Sequence, residues 1–394
     1  MITILDVISN LIDKLLKFLY DNVLHYIYDI WYTYKSKRII RDINGCDINI
    51  IATYPFDKVG QFNISKLNLG FKISVPCDIA YQLKDYKFYT DYSEGCRNSN
   101  AIGDKLESFI NEHYADSISD PKEFIYKVSL DTAYSFLNDL QKGKSKSNNT
   151  ILGIDTIEKG KKNLLNIRLF TTDYFTYHCI VAIYKKLYAI NATPFDVNSL
   201  KDVHRLSPFL SCFGIGGFVS IQILNKRYTI VTKRSSTAAC PNYWHTSFEE
   251  TFDIRDNNST QGRTPTPSLL SCLLRGIEEE LGFSLKEYSY QIRNSCIFVI
   301  KNHSRLETAV YIDLRIHITS QEELNSLINH IRFASDTENE NSQIMIIPYN
   351  ELHTFYQEKL NSGELVTPEA LFFSNFYMGI NRKTKILSFL LNFK

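Results

Sequence analysis

Three consecutive glutamates, Glu278 to Glu280, close an apolar stretch of the sequence and could bind a divalent cation. Carboxylate oxygens are the ligands that hard cations such as Mg²⁺ prefer. The stretch Leu269 to Phe283 carries leucine and isoleucine at helical spacing, and Gly282 can adopt the left-handed conformation that ends a helix. Because acidic side chains in the last turns oppose the helix dipole, this pattern indicates either a metal site or a solvated acidic turn.

Two strands and a turn precede this helix. Phe218 to Leu224 and Tyr228 to Lys233 are predicted strands, and the polar residues 225–227 between them are typical of a tight turn. Three glycines, Gly214, Gly216 and Gly217, come before the first strand. They do not link a strand to a helix, so they are not a dinucleotide fingerprint.

The segment after the helix predicts further strands and helices. Residues 308–318 alternate regularly, with Val310, Ile312, Leu314, Ile316 and Ile318 on one face and Tyr311, Asp313, Arg315 and His317 on the other. This alternation predicts a half-buried strand with one polar face. Ser320 and Glu323 predict a helix start, Ile344 to Pro348 a strand, and Thr367 the start of another helix. The order predicts an α/β fold with a mixed sheet between helices.

This order resembles the Nudix family, whose members hydrolyse nucleoside diphosphates linked to another moiety. The segment Arg275 to Phe283 reads R-G-I-E-E-E-L-G-F, where the family motif has R-E-U-x-E-E-x-G-U with U bulky and aliphatic. A strand pair (Ile221 to Arg234), an aromatic-centred turn (Asn242 to Glu250) and a closing strand and helix (Ile344 to Leu352) also match. The resemblance covers residues 213–355.

The resemblance implies that Glu279 and Glu280 bind Mg²⁺ or Mn²⁺ and that Arg275 assists them as part of a catalytic site. The metal neutralises phosphate charge and activates water. Two positions depart from the motif: Gly276 replaces its first glutamate and Pro267 replaces the upstream one. A third acid is expected from a nearby segment, with Glu249, Glu250 or the loop containing Asp336, Glu338 and Glu340 as candidates.

Two functions follow from the resemblance. One is a divergent Nudix hydrolase that cleaves a pyrophosphate bond with Mg²⁺. The other is a catalytically inactive Nudix-like sensor or oligomerising effector that binds a nucleotide and transmits the signal to the rest of the chain. Both predict a nucleotide-type small molecule as partner.

The remaining sequence predicts a long amphipathic helix in residues 1–39, a mixed α/β domain in 40–141, a polar linker in 142–150, and the Nudix-like domain with its extensions in 151–394. The first segment suits homo-oligomerisation, with attachment to a membrane surface as the alternative. The net charge of +1 over 394 residues gives no electrostatic footprint for nucleic acid. Eight cysteines without a C-x-x-C pair, and no signal peptide, favour the cytoplasm.

Overall fold

The structure is a computed structural model, and it describes residues 45–54, 62–68, 70–92, 101–144, 146–159, 165–236, 240–258, 266–332 and 341–376. The predicted helix of residues 1–39 and the acidic loop with Asp336, Glu338 and Glu340 lie outside these ranges. Oligomerisation or membrane attachment through residues 1–39 therefore stays a prediction. Within the described part of the chain, no helix is both long and apolar enough to cross a membrane.

The first half of the chain builds a helical layer on a small sheet. Its elements are β1 (Asp47–Tyr54), β2 (Phe62–Asn68), α1 (Cys77–Asp85), α2 (Ala101–Tyr114), α3 (Pro121–Gln141), β3 (Thr150–Lys159), β4 (Leu165–Asp173), α4 (Tyr174–Ile190) and α5 (Leu200–Leu206). Strands β2, β4 and β3 form a three-stranded sheet in that order. Helix α3 begins at Pro121 because Asp120 caps it by accepting a hydrogen bond from the Glu123 N–H.

The second half builds a larger mixed sheet. Its elements are β5 (Phe213–Ile223), β6 (Lys226–Arg234), β7 (Trp244–His245), β8 (Phe248–Thr251), β9 (Asn257–Asn258), β10 (Thr266–Pro267), α6 (Leu269–Leu281), β11 (Ser289–Lys301), β12 (Leu306–Ile318), α7 (Gln321–Arg332), β13 (Asn341–Pro348), α8 (Leu352–Asn361) and α9 (368–376). The strand order is β1-β11-β12-β5-β6-β13, with β7 beside β6 and β8 beside β5. The pairing of β12 with β5 is parallel, and the β5–β6 and β5–β8 pairings are antiparallel.

A hydrophobic core lies on each face of this sheet. One face packs against α6 through Leu273, Ile277 and Leu281 and continues into the core of the N-terminal helices. The opposite face packs against α8 and α9, where the Tyr311 and Phe373 rings stack with centroids 3.6 Å apart. The predicted mixed α/β architecture with a large mixed sheet is therefore present.

Three details differ from the sequence-based expectations. Strand β1 pairs with β11, so residues 47–54 extend the large sheet across the boundary predicted between the two domains. The alternating segment 71–75, FKISV, predicts a strand by its sequence, but these residues make only an isolated bridge at Val75. The three glycines lie inside β5 and not before it. Whether these residues form strands depends on their pairing with distant segments, and the local sequence does not predict that pairing.

A second layer covers part of the predicted polar face of β12: Tyr311 and Asp313 are buried, whereas Arg315 and His317 stay partly exposed as expected. Tyr311 is 2 % exposed beneath α9, and Asp313 is 1 % exposed. The Asp313 carboxylate accepts a hydrogen bond of 2.8 Å from Arg227, and the Arg227 guanidinium lies 3.4 Å from the Tyr349 ring centroid. The guanidinium satisfies Oδ1 of this buried carboxylate and supplies a compensating charge.

Candidate functional site

The acidic end of α6 is positioned by the apolar packing of the helix. Ser268 caps its start by accepting a hydrogen bond from the Ser271 N–H, and Gly282 ends it with φ 74°. These bounds confirm the helix predicted from Leu269 onward. Burial of the apolar stripe leaves Glu278 exposed, Glu279 partly exposed and Glu280 buried, so the three glutamates face different surroundings.

Arg275 lies at the centre of a group of carboxylates. Its guanidinium makes two hydrogen bonds of 2.8 Å to Asp256, through Nε and Nη2. Its Nη1 lies 2.8 Å from the Glu250 carboxylate and 3.1 Å from that of Glu279. The Nη2 group also donates to the Thr251 carbonyl at 2.8 Å. We call Arg275, Asp256, Glu250 and Glu279 the Arg275 cluster; it ties α6 to β8 and to the loop after it.

Glu280 points to a different set of partners. Its Oε1 accepts a hydrogen bond of 2.9 Å from the Glu249 N–H, and its Oε2 lies 4.0 Å from Nη1 of Arg234. Arg234 closes strand β6, where the sequence placed a basic residue at the end of the strand pair. The two predicted metal ligands, Glu279 and Glu280, are therefore each held beside a different arginine.

Gly276 occupies the position of the missing motif glutamate, and Glu250 fills the space beside it. A Cβ atom built on Gly276 would lie 2.7 Å from the Glu250 Cβ and 3.1 Å from its Cγ. Glu250 and Phe248 thus face α6, and strand alternation sends Glu249 to the opposite face of the sheet. Of the candidate third acids in the described residues, only Glu250 belongs to the Arg275 cluster, where Arg275 already pairs with it.

The carboxylates at this site do not fit a Mg²⁺ ion of the family type. Among the described residues, no three His, Cys, Asp or Glu side chains are placed to hold a metal. The oxygens of Glu279 and Glu250 accept from Arg275, and Glu280 accepts from a backbone N–H. A guanidinium supplies the positive charge that a divalent cation would otherwise bring.

Crowding of carboxylates around one guanidinium changes the proton affinity of Glu250. Burial raises the pKa of Glu250 more than Arg275 lowers it, and the negative charges of Glu279 and Asp256 raise it further, to about 7. The folded protein thus holds a proton that the unfolded chain releases near the ordinary value of 4.5. The free energy of unfolding should fall as pH rises between these two values.

We expect this group to remove up to about 3 kcal/mol of stability between pH 5 and pH 8. The measurement is urea unfolding of the wild type and Glu250→Gln across this range. As the pH rises, the free energy of unfolding of the wild type should fall relative to that of Glu250→Gln. Glu278→Gln, an exposed change on α6, is the matched control. A wild-type minus variant difference that stays flat would contradict the pKa assignment of Glu250.

Two site residues were not predicted from the sequence. Asp256 follows β8 in a polar loop, yet it is 2 % exposed and makes the bidentate contact with Arg275. His245 lies next to Trp244 in the aromatic-centred turn, and its Nε2 lies 2.8 Å from the Glu249 carboxylate. The buried aspartate carries no sequence signal, because loops usually expose their carboxylates.

Comparison with known proteins gives structural neighbours only. The sequence matches no protein-family model and no curated protein. Similar structures include DR0079 from Deinococcus radiodurans (11 % identity, TM-score 0.27, covering 42 % of this chain and 81 % of that one). The Ap4A hydrolase of C. elegans is similar at 9 % identity and TM-score 0.24, covering 38 % of this chain and 91 % of that one.

A third similar structure is the NUDIX domain of Shewanella oneidensis NrtR in complex with ADP ribose. It has 10 % identity and a TM-score of 0.24, and the match covers 42 % of this chain and 84 % of that one. NrtR has also been solved with a 27mer DNA, so the absence of a nucleic-acid partner here stays a prediction. At these identities and TM-scores the likeness is too weak to assign a ligand or an activity.

Proposed function

We propose that this chain is a Nudix-like module that binds a nucleotide or nucleoside-diphosphate derivative and does not hydrolyse it through a metal. The observation that carries the proposal is the replacement of a motif glutamate by Gly276. Where the family motif has a carboxylate, this chain has glycine, and the Glu250 side chain takes the space beside it. The resemblance to a diphosphate-binding family supports the ligand class, and the Arg275 cluster supports the loss of hydrolysis.

The electrostatics of the cluster favour this function over hydrolysis. A hydrolytic metal needs carboxylate oxygens that are open to it and to the substrate phosphates. Here Arg275 engages Glu250, Glu279 and Asp256 together. A cation that entered would have to displace a guanidinium from a partly buried ion pair, which is strongly unfavourable. Mg²⁺-dependent pyrophosphate hydrolysis remains the alternative activity for the same site.

The binding part of the proposal is tested by thermal stability with nucleotides. Purified full-length protein is melted with ADP-ribose, NAD, dinucleoside polyphosphates and NTPs, each in EDTA and in Mg²⁺. A ligand that binds only the folded state at one hundred times its Kd adds about 2.7 kcal/mol of stability, which raises the Tm by about 3 °C for a chain of this size.

We expect at least one nucleotide to raise the Tm as much in EDTA as in Mg²⁺. Glu279→Gln should keep this stabilisation, because the variant removes a negative charge without removing a ligand of a required metal. Glu278→Gln serves as the control for any general effect of charge. Stabilisation that occurs only in Mg²⁺, or no stabilisation by any nucleotide in the panel, would overturn the proposal.

A further inference from the structure

A small cavity lies over Gly216, on the face of the large sheet opposite α6. Gly216 pairs with Tyr311 on one side and with Glu249 on the other. Directly paired residues point to the same face of a sheet, so the missing side chain leaves a gap between the tyrosine and the glutamate. The Phe298 ring and the Glu369 carboxylate complete its walls. The gap has room for a group about the size of a water molecule.

The cavity contains a buried carboxylate oxygen without a partner. Glu369 begins α9 and is only 2 % exposed. Its Oε1 pairs with Arg305, but its Oε2 is buried and accepts no hydrogen bond. A buried acceptor left unsatisfied costs free energy, about 1–3 kcal/mol and more when it is charged. An oxygen in this state at the wall of a cavity indicates that a donor belongs there.

The second carboxylate of the cavity, Glu249, stays ionised. The Thr246 N–H donates to Nδ1 of His245 at 2.6 Å, so Nδ1 is the acceptor and Nε2 carries the proton that His245 donates to Glu249. Burial alone raises the pKa of Glu249, but the hydrogen bond and the charge of His245, together with the charges of Arg234 and Arg305, lower it to about 2.

The charges around the cavity are unbalanced. Arg305 lies 3.0 Å from Glu307 and pairs with Glu369. Arg234 lies 3.6 Å from Glu249 and 4.0 Å from Glu280. Four carboxylates thus share two guanidinium groups and the imidazole of His245. A partly buried surplus of negative charge attracts a cation, because the low dielectric strengthens its interaction with each carboxylate.

We propose that the cavity over Gly216 binds a primary ammonium group. An ammonium group has three N–H donors and no acceptor, which suits the open oxygen of Glu369 and the carboxylate of Glu249. Aromatic side chains such as Phe298 are favourable neighbours for such a cation. Within the described residues no metal-ligand group of three side chains exists, so the donor set favours a nitrogen cation over a metal ion.

The ammonium group has two chemical sources, a free alkylamine or polyamine and a lysine side chain of a protein partner. The test melts the full-length protein with methylammonium, spermidine, N-acetyl-lysine amide or tetramethylammonium at one ionic strength. Tetramethylammonium has the same charge but no N–H donor. We expect each primary amine to raise the Tm by about 2 °C at ten times its Kd, and tetramethylammonium to leave the Tm unchanged.

The variant Glu369→Gln should abolish the amine-induced shift, measured against the variant's own Tm. Glu358→Gln, an exposed change on α8, should keep it. Gly216→Ala is a second variant that should abolish the shift, because its added methyl group enters the gap and lies 3.2 Å from the Phe248 carbonyl oxygen. A larger shift with spermidine or with the lysine amide identifies the source. Equal shifts with tetramethylammonium, a shift retained in Glu369→Gln, or no shift with any primary amine would overturn the proposal.

Discussion

Replacing Arg275 with methionine is expected to lower the free energy of unfolding by about 3–5 kcal/mol, because the change leaves buried carboxylates without their cation. Asp256 is only 2 % exposed and loses a bidentate partner. Glu250 loses a contact of 2.8 Å, and the Thr251 carbonyl loses its hydrogen bond. Methionine keeps much of the side-chain volume, so the loss reports on charge and hydrogen bonding more than on packing.

The measurement is the urea unfolding midpoint and slope at pH 7. Arg255→Met is the matched control, because Arg255 pairs with Asp253 at 2.9 Å while its side chain stays 65 % exposed. A pair whose cation stays in solvent contributes less, about 1 kcal/mol. The loss of stability for Arg275→Lys should lie between the losses for Arg275→Met and Arg255→Met, since lysine keeps the charge but cannot bind Asp256 in bidentate geometry. A loss for Arg275→Met no larger than the Arg255 control would show that the cluster does not organise this end of α6.

Restoring the family residue at Gly276 is expected to destabilise the protein by about 3 kcal/mol. The first atom of a new side chain would lie 2.7 Å from the Glu250 Cβ, and overpacking of this kind costs about 1–3 kcal/mol. Gly276→Glu also adds a further carboxylate to a cluster with one arginine, which increases repulsion. The better helix propensity of glutamate offsets only a fraction of a kcal/mol of this loss.

A second substitution shows whether Glu250 causes the loss. Glu250→Ala in the Gly276→Glu background should recover stability, with a coupling free energy of about 1–3 kcal/mol in a double-mutant cycle. Glu278→Ala in the same background is the control, because residues two apart on a helix do not face each other, and its effect should be additive. Additive behaviour of the Glu250 pair would contradict the view that this side chain has taken the place of the missing glutamate.

Periodicity along the sequence was enough to predict the elements that carry the site. The apolar stripe and Gly282 gave the bounds of α6 to within two residues, since Leu269–Leu281 is the helix. The regular alternation of residues 308–318 gave most of β12. These signals are local, and each comes from the spacing that buries one face of a helix or strand.

The contacts that decide the chemistry are not local, and the sequence could not supply them. Glu249 and Glu250 are neighbours in sequence but face opposite sides of the sheet. Only one of them reaches Arg275, and the choice depends on the register of β8 against β5. The buried face of β12 depends on helix α9, whose residues come more than fifty positions later. A pattern of polar residues predicts a solvated face unless a second layer covers it.

The central claim is that the acidic end of α6 does not support metal-dependent hydrolysis, and the most direct test is turnover. Purified full-length protein is incubated with ADP-ribose, NAD, dinucleoside polyphosphates and NTPs in Mg²⁺ or Mn²⁺, and release of phosphate or nucleoside monophosphate is measured. The predicted result is no release above buffer, with the wild type indistinguishable from Glu279→Gln/Glu280→Gln. Release by the wild type that is lost in this double variant and kept in Glu278→Gln would contradict the claim.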